Sequence, residues 1–230
     1  MYFRHANDIW RNFPELSAGI LHAEGIHRDV SIDARLAGFE AAAKARLAAS
    51  SEGEFPEIQA WRRAFSRMGL KPTQYRSASE ALLRRFRKEG SLPRIHPLID
   101  LCNAASLAFA IPIAVFDLSR VAGHLEVRYA SGNEIYTTFS GETEYPEPQE
   151  VIFADEEGRA HARRWTNRQS GFSAVGSKTT AVLIVAEALH SSAETDVSRL
   201  VHELAGAMGA SWAVTPRSAV LDQSAPRFDI

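Results

Sequence analysis

Cysteine is almost absent from this chain: Cys102 is the only one in 230 residues. That excludes an intramolecular disulfide framework and a cysteine-rich zinc site, and a reducing cytosol is the compartment that fits best. An excess of either charge is also lacking. The 26 Lys and Arg stand against 28 Asp and Glu, for a net charge of -2, so no global basic field draws the protein to nucleic acid. No apolar run approaches membrane-spanning length, and the first residues, "MYFRHANDIW", lack the apolar core of a signal peptide. The expectation is a cytoplasmic protein with no membrane partner.

The familiar motifs of chemistry are missing too. There is no G-x-G-x-x-G, P-loop, H-E-x-x-H or G-x-S-x-G. The eight histidines are scattered without metal-ligand spacing. The sequence therefore calls for no cofactor and no metal. No repeat or low-complexity tract stands out.

What is present is a change of pattern along the chain. "LSAGILHAEGI" (Leu16–Ile26) predicts a strand. "SIDARLAGFEAAAKARLAA" (Ser31–Ala49) is Ala-rich and predicts a helix with Ser31 as N-cap. Ile58, Trp61, Phe65 and Met68 recur at helical spacing over Glu57–Gly69, with Gly69 as the stop. Ser77 with Glu80 three residues on forms a capping-box pattern, and Leu98–Ala110 predicts a further helix. After Pro112 come short β-rich segments: "IAVFDLS", "HLEVRYA", "EIYTTFS", "EVIFAD" and "RAHARRWT". "TAVLIVAEAL" predicts a fully buried strand, "ETDVSRLVHELAGAMGA" an amphipathic helix, and "SWAVTP" a last strand before a loosely ordered tail. Helices dominate the middle and strands the region from Ile113 onward. That segregation predicts an α+β fold: a single domain over residues 1–230, with a mixed or antiparallel sheet and helices packed on it. Trp61, Phe65, Leu98, Leu101, Leu107, Val182 and Ile184 are the expected core.

Charge is local where it is not global. Between Arg62 and Arg94 the chain holds Arg62, Arg63, Arg67, Lys71, Arg76, Arg84, Arg85, Arg87, Lys88 and Arg94, opposed in that stretch only by Glu80 and Glu89. A second cluster, Arg159, Arg163, Arg164 and Arg168, surrounds Trp165. Such strips either grip phosphates or form the solvated outer face of helices.

The stretch "LPRIHPLIDLCNAASLAFAIPIAVFDLSR" (Leu92–Arg120) opens an apolar helix with Asp100, Cys102 and Asn103 and then runs through Pro112 to Phe116-Asp117. It resembles the B3/B4 editing domain of the phenylalanyl-tRNA synthetase β subunit. The resemblance continues through "GHLEVRYASGNEIYTTFSG", the turn "EVIFADEEG" and the strand "TTAVLIVAEAL", and covers about 61–189. The other modules of that synthetase have no room here, so the chain looks like a free-standing B3/B4 protein. "KPTQYRS" (Lys71–Ser77) is similar to a pattern of free-standing B3/B4 proteins and puts Lys71, Tyr75 and Arg76 forward as contacts to a tRNA acceptor end, or as a packed turn.

The resemblance implies trans-acting hydrolysis of mischarged aminoacyl-tRNA. Editing exists because a pocket for an apolar side chain discriminates weakly against a near-isostere. The family's late-strand glutamate matches Glu187, the expected catalytic residue. A carboxylate ending so apolar a run is costly unless it is paired or used. In that family the ester removed joins tyrosine to a phenylalanine tRNA; its pocket threonine falls at Cys102, its asparagine at Asn103, and its histidine at Ala114, a departure that removes a polar contact and opens the pocket to another amino acid. Trp165 and Asn167 either shape the pocket or stack on the terminal adenosine, with core packing the other reading for Trp165. Arg84 and Arg85, with Lys71, Tyr75 and Arg76, complete the expected tRNA contacts. The alternative is a non-catalytic RNA-binding or amino-acid-binding module derived from the same subunit.

Overall fold

The computed structural model describes residues 1–230. The chain forms two packed sheets with helices over the outer face of the smaller one. In order come β1 (Tyr2–His5), α1 (Asn7–Asn12), β2 (Ser17–Glu24), α2 (Asp33–Ala49), α3 (Pro56–Arg67), α4 (Ala78–Glu89), α5 (Pro97–Phe109) and β3 (Ile113–Asp117). Then follow β4 (Leu125–Tyr129), β5 (Ile135–Thr137), β6 (Thr143–Glu144), β7 (Val151–Asp155), β8 (Arg159–Arg163), β9 (Arg168–Gln169) and β10 (Ala181–Ala188). The chain closes with α6 (Ala193–Trp212), β11 (Arg217–Leu221) and β12 (Arg227–Asp229).

The larger sheet runs β12-β1-β4-β7-β8-β5-β6, with β9 alongside β8. It is mixed: β1 lies parallel to β4 and β5 parallel to β8, while the other pairs are antiparallel. The smaller sheet, β11-β2-β10-β3, is antiparallel throughout. This is the α+β class that the order of segments predicts.

Strand alternation assigns the faces. On β10, Val182, Ile184, Ala186 and Ala188 join a core with α2, α5 and α6. Leu183 and Val185 point the other way, into a second core between the sheets, with Phe3, Val127, Phe153 and Phe116. Trp61 and Ala64 of α3 reach the same inter-sheet core. All seven expected core positions, from Trp61 to Ile184, are buried. Ser77 caps α4, accepting from the Glu80 N–H at 3.3 Å, but the Glu80 carboxylate turns to Arg62 instead of closing the capping box.

Three further expectations fail. Ser31 does not cap α2; Ile32 occupies that position without a side-chain bond, and the Ser31 hydroxyl lies 3.4 Å from Asp33. "SWAVTP" is not a strand. Trp212 continues the buried stripe of Leu204 and Met208 on α6, and its indole N–H donates to His27 O at 2.8 Å. The tail is ordered: β11 pairs with β2 and β12 with β1. The first residues, given no element in the sequence, form β1.

Candidate functional site

Glu187 sits near the end of β10 on the inter-sheet face and is 2% exposed. Two donors converge on its Oε1: His5 Nε2 at 2.6 Å and the Trp165 indole Nε1–H at 2.9 Å. With the His5 proton on Nε2, both groups donate to this one oxygen. Glu187 Oε2 takes no protein hydrogen bond. The residue lines a cavity of about 50 Å³ between the sheets. Ala78, Pro112–Ala114, Phe153, Ala162, Val185 and the segment Trp165–Gln169 form the rest of the wall.

The turn after β8 aims Trp165 into this space. Arg164 and Trp165 both have positive φ, 47° and 57°. Bulky residues avoid that region, so the surroundings must hold it. Two bonds do so: Arg164 N–H to Glu150 Oε1 at 2.9 Å, and Trp165 N–H to Val151 O at 2.7 Å. Phe13 and Trp61 then pack edge-on to the indole, with centroids at 4.8 and 5.0 Å. Trp165 is fully buried, so its ring shapes the cavity and offers no face to an incoming adenosine.

The segment before α4 docks on the same turn. Ala78 N–H donates to Thr166 O at 2.8 Å, and the Asn167 side-chain amide donates to Arg76 O at 2.8 Å. The Arg164 guanidinium lies 4.8 Å from the Tyr75 ring centroid. Gln169 reaches across to Val115 O at 2.6 Å.

The expected site residues thus divide. Glu187, Ala114, Trp165 and Asn167 share one cavity. Cys102 does not join them. It belongs to the core on the helix side of the smaller sheet, and burial pushes its thiol pKa far up, away from the thiolate a nucleophile needs. Asn103 lines a separate shallow depression with Leu36, Glu40 and Arg94. The strand β10 separates both from Glu187, because α5 packs on the face carrying Ile184 and Ala186. Asp100 accepts from Ile95 N–H at 2.8 Å and so secures the start of α5.

The basic strip is largely neutralised, by Glu80 and Glu89 within it and by carboxylates from distant segments. Arg84 and Arg87 face the buried Glu52 at 3.5 and 2.8 Å. Arg62 and Arg76 face the buried Glu80 at 2.7 and 3.5 Å, and Arg62 is held firmly charged by its bond to that carboxylate. Arg85 pairs with Glu89 at 2.8 Å, Arg94 with Asp33 at 3.0 Å, and Arg67 with Glu15. Lys71 is exposed. Sequence reading found Glu80 and Glu89 but missed Glu52, Asp33 and Glu15.

It also missed His5. The signal was there as period-two alternation in "YFRH", with Phe3 and His5 facing inward and Arg4 outward. No helix is long and apolar enough to cross a membrane.

Comparison with known proteins adds the family. Phenylalanine–tRNA ligase β subunits match parts of the chain. The one from Coxiella burnetii is 33% identical over 100 residues, 44% of this chain and 12% of that protein. The one from Legionella pneumophila (strain Lens) is 29% identical over 70 residues, 30% of this chain and 9% of that protein. The matches therefore span about a tenth of those relatives. Among solved structures, an N-terminal fragment of the phenylalanyl-tRNA synthetase β subunit from Pyrococcus horikoshii covers 94% of this chain and 50% of its own. Its TM-score is 0.50 at 11% identity, a likeness of fold. Residues 60–204 match the B3/4 domain, more than half of the chain, and the protein belongs to that family.

Proposed function

We propose that this protein hydrolyses mischarged aminoacyl-tRNA, acting in trans as an editing deacylase. The observation that carries the reading is Glu187, a buried carboxylate on the wall of an inter-sheet cavity, in a B3/4 chain whose relatives are named as tRNA ligase subunits. His5 and Trp165 fix Oε1 and leave Oε2 to meet what enters. That oxygen would hold a water or the substrate's ammonium group. An aminoacyl ester is already activated, so no covalent nucleophile is needed, and Cys102 plays no part. Ala114 adds no polar contact to the wall. An aromatic ring occupies a cavity of roughly 150 Å³, so the cavity as it stands fits a small side chain, and a large one requires the Trp165–Gln169 turn to open. Lys71, Tyr75 and Arg76 lie on the segment that docks against this turn and would meet the acceptor end.

The test is release of amino acid from a panel of mischarged tRNAs. Glu187→Gln should lower turnover by roughly 10²–10⁴-fold, the scale of a lost general acid–base group. A folded Glu187→Gln variant with undiminished turnover would remove Glu187 from the mechanism. A second reading, a non-catalytic module that binds RNA or an amino acid, is favoured by the small cavity and by the two bonds already made to Oε1. It predicts tRNA binding by the parent protein with no amino acid released from any member of the panel.

A further inference from the structure

The sequence carries no metal motif, yet the fold gathers a set of metal-ligating side chains away from the Glu187 cavity. Glu57 in the first turn of α3, His190 after β10, and Asp196 in the first turn of α6 each offer one ligand atom, and these atoms lie within 4.8 Å of one another. None of the three lines the cavity around Glu187.

Two of the three carry buried polar atoms with no partner. Glu57 Oε2 and His190 Nδ1 are both shielded from solvent and unbonded. Their residues are 8% and 5% exposed. Buried polar groups are nearly always satisfied, and the orphaned Glu57 Oε2 calls for an ion or a water; His190 Nδ1, the ring nitrogen that does not face Asp196, is left to a water of its own. Each carboxylate is also gripped by a guanidinium on its other oxygen. Arg46 donates to Glu57 Oε1 at 2.7 Å, and Arg199 to Asp196 Oδ1 at 3.2 Å. Asp196 Oδ2 meets His190 Nε2 at 2.9 Å and the Ser192 hydroxyl at 2.7 Å. Outer contacts of this kind hold ligands in orientation.

We propose that Glu57, His190 and Asp196 bind a divalent transition-metal ion of the zinc class. One imidazole with two carboxylates suits zinc, whereas magnesium and calcium are bound through oxygen alone. Three protein ligands leave a fourth position for water. Binding replaces the His190–Asp196 hydrogen bond and draws the three ligand atoms to about 2.0–2.2 Å from the ion. Arg46 and Arg199 already balance the two carboxylates, so the ion adds net positive charge and should be removable by chelation.

The experiment uses the full chain, stripped with a chelator and titrated with zinc by calorimetry and with cobalt by visible absorption. The expected result is one saturable zinc per chain, a raised melting temperature, and a cobalt spectrum of low coordination number without the sulfur band a thiolate would give. Magnesium should do none of this. Glu57→Gln and His190→Gln should each weaken zinc binding by roughly 10–100-fold or more, since loss of even an outer contact costs that much. Saturable binding that survives both substitutions would put the ion elsewhere and overturn the proposal. Absence of saturable binding by the parent chain would overturn it as well, and would leave the cluster to a water. Where a substitution unfolds the chain, the cobalt spectrum of the parent decides: an unaltered spectrum of the hydrated ion sinks the site.

Discussion

At Glu187, burial and chemistry compete. A carboxylate this far from water is stable only with donors, and His5 and Trp165 supply them. Removing one partner of a buried hydrogen bond costs more than replacing both, because the survivor is left unsatisfied. His5→Leu should therefore destabilise the fold by about 1–3 kcal/mol in urea unfolding, and His5→Leu with Glu187→Leu should recover part of that loss. A single substitution as mild as the double would mean that Trp165 alone satisfies the carboxylate. Glu187 was legible in the sequence as an acid ending an apolar run. His5 was legible only as an inward-facing position in "YFRH"; its meeting with Glu187 was not, because the two lie 182 positions apart. Cys102 and Asn103 were legible as polar residues at a helix start, but a helix start does not say which face of a sheet the helix will cover. α5 covers the face opposite Glu187.

Elements were legible where periodicity ran long. α3, α5, α6 and β10 carry enough turns or alternations for burial to fix their type. The short terminal strands were not, since β1, β11 and β12 gain their ladders from partners across the chain. β2 adds a constraint that only packing reveals. Gly19 faces α6 so closely that a Cβ there would stand 2.5 Å from Val201 Cγ2 and 2.7 Å from Val197 Cγ1. Both neighbours are β-branched residues in a helix, where χ1 has one strongly preferred rotamer. Gly19→Ala should thus push α6 off the sheet and cost roughly 1–3 kcal/mol, the scale of core overpacking. The melting temperature measures it. A variant as stable as the parent would show that α6 shifts without strain.

Over the whole molecule, folding changes what the basic strip means. Ten cations between Arg62 and Arg94 look like a phosphate grip in sequence, but the fold sets carboxylates from α2, α4 and the loops against most of them. Arg63, Lys71 and Lys88 have no such partner. In the second cluster Arg164 has none either, and it lies beside Tyr75 near the cavity turn. If tRNA binds, these unpaired cations should carry the electrostatics. Each neutralised phosphate contributes about -0.7 to -0.9 to the slope of log affinity against log salt, so three or four contacts give a slope of roughly -2 to -4. A variant with Arg63, Lys71 and Lys88 all changed to Glu should flatten that slope and weaken binding with little change in melting temperature. Arg84→Glu is a different kind of change. It would set a second carboxylate beside the buried Glu52, leave Arg87 as its one remaining ion-pair contact, and lower stability as well as affinity. Filter binding over a salt series, with melting curves for each variant, separates the two. Unchanged affinity and slope in the triple variant would show that the unpaired cations are not the contact surface, and a slope well beyond -4 would show that the paired arginines exchange their carboxylates for phosphates.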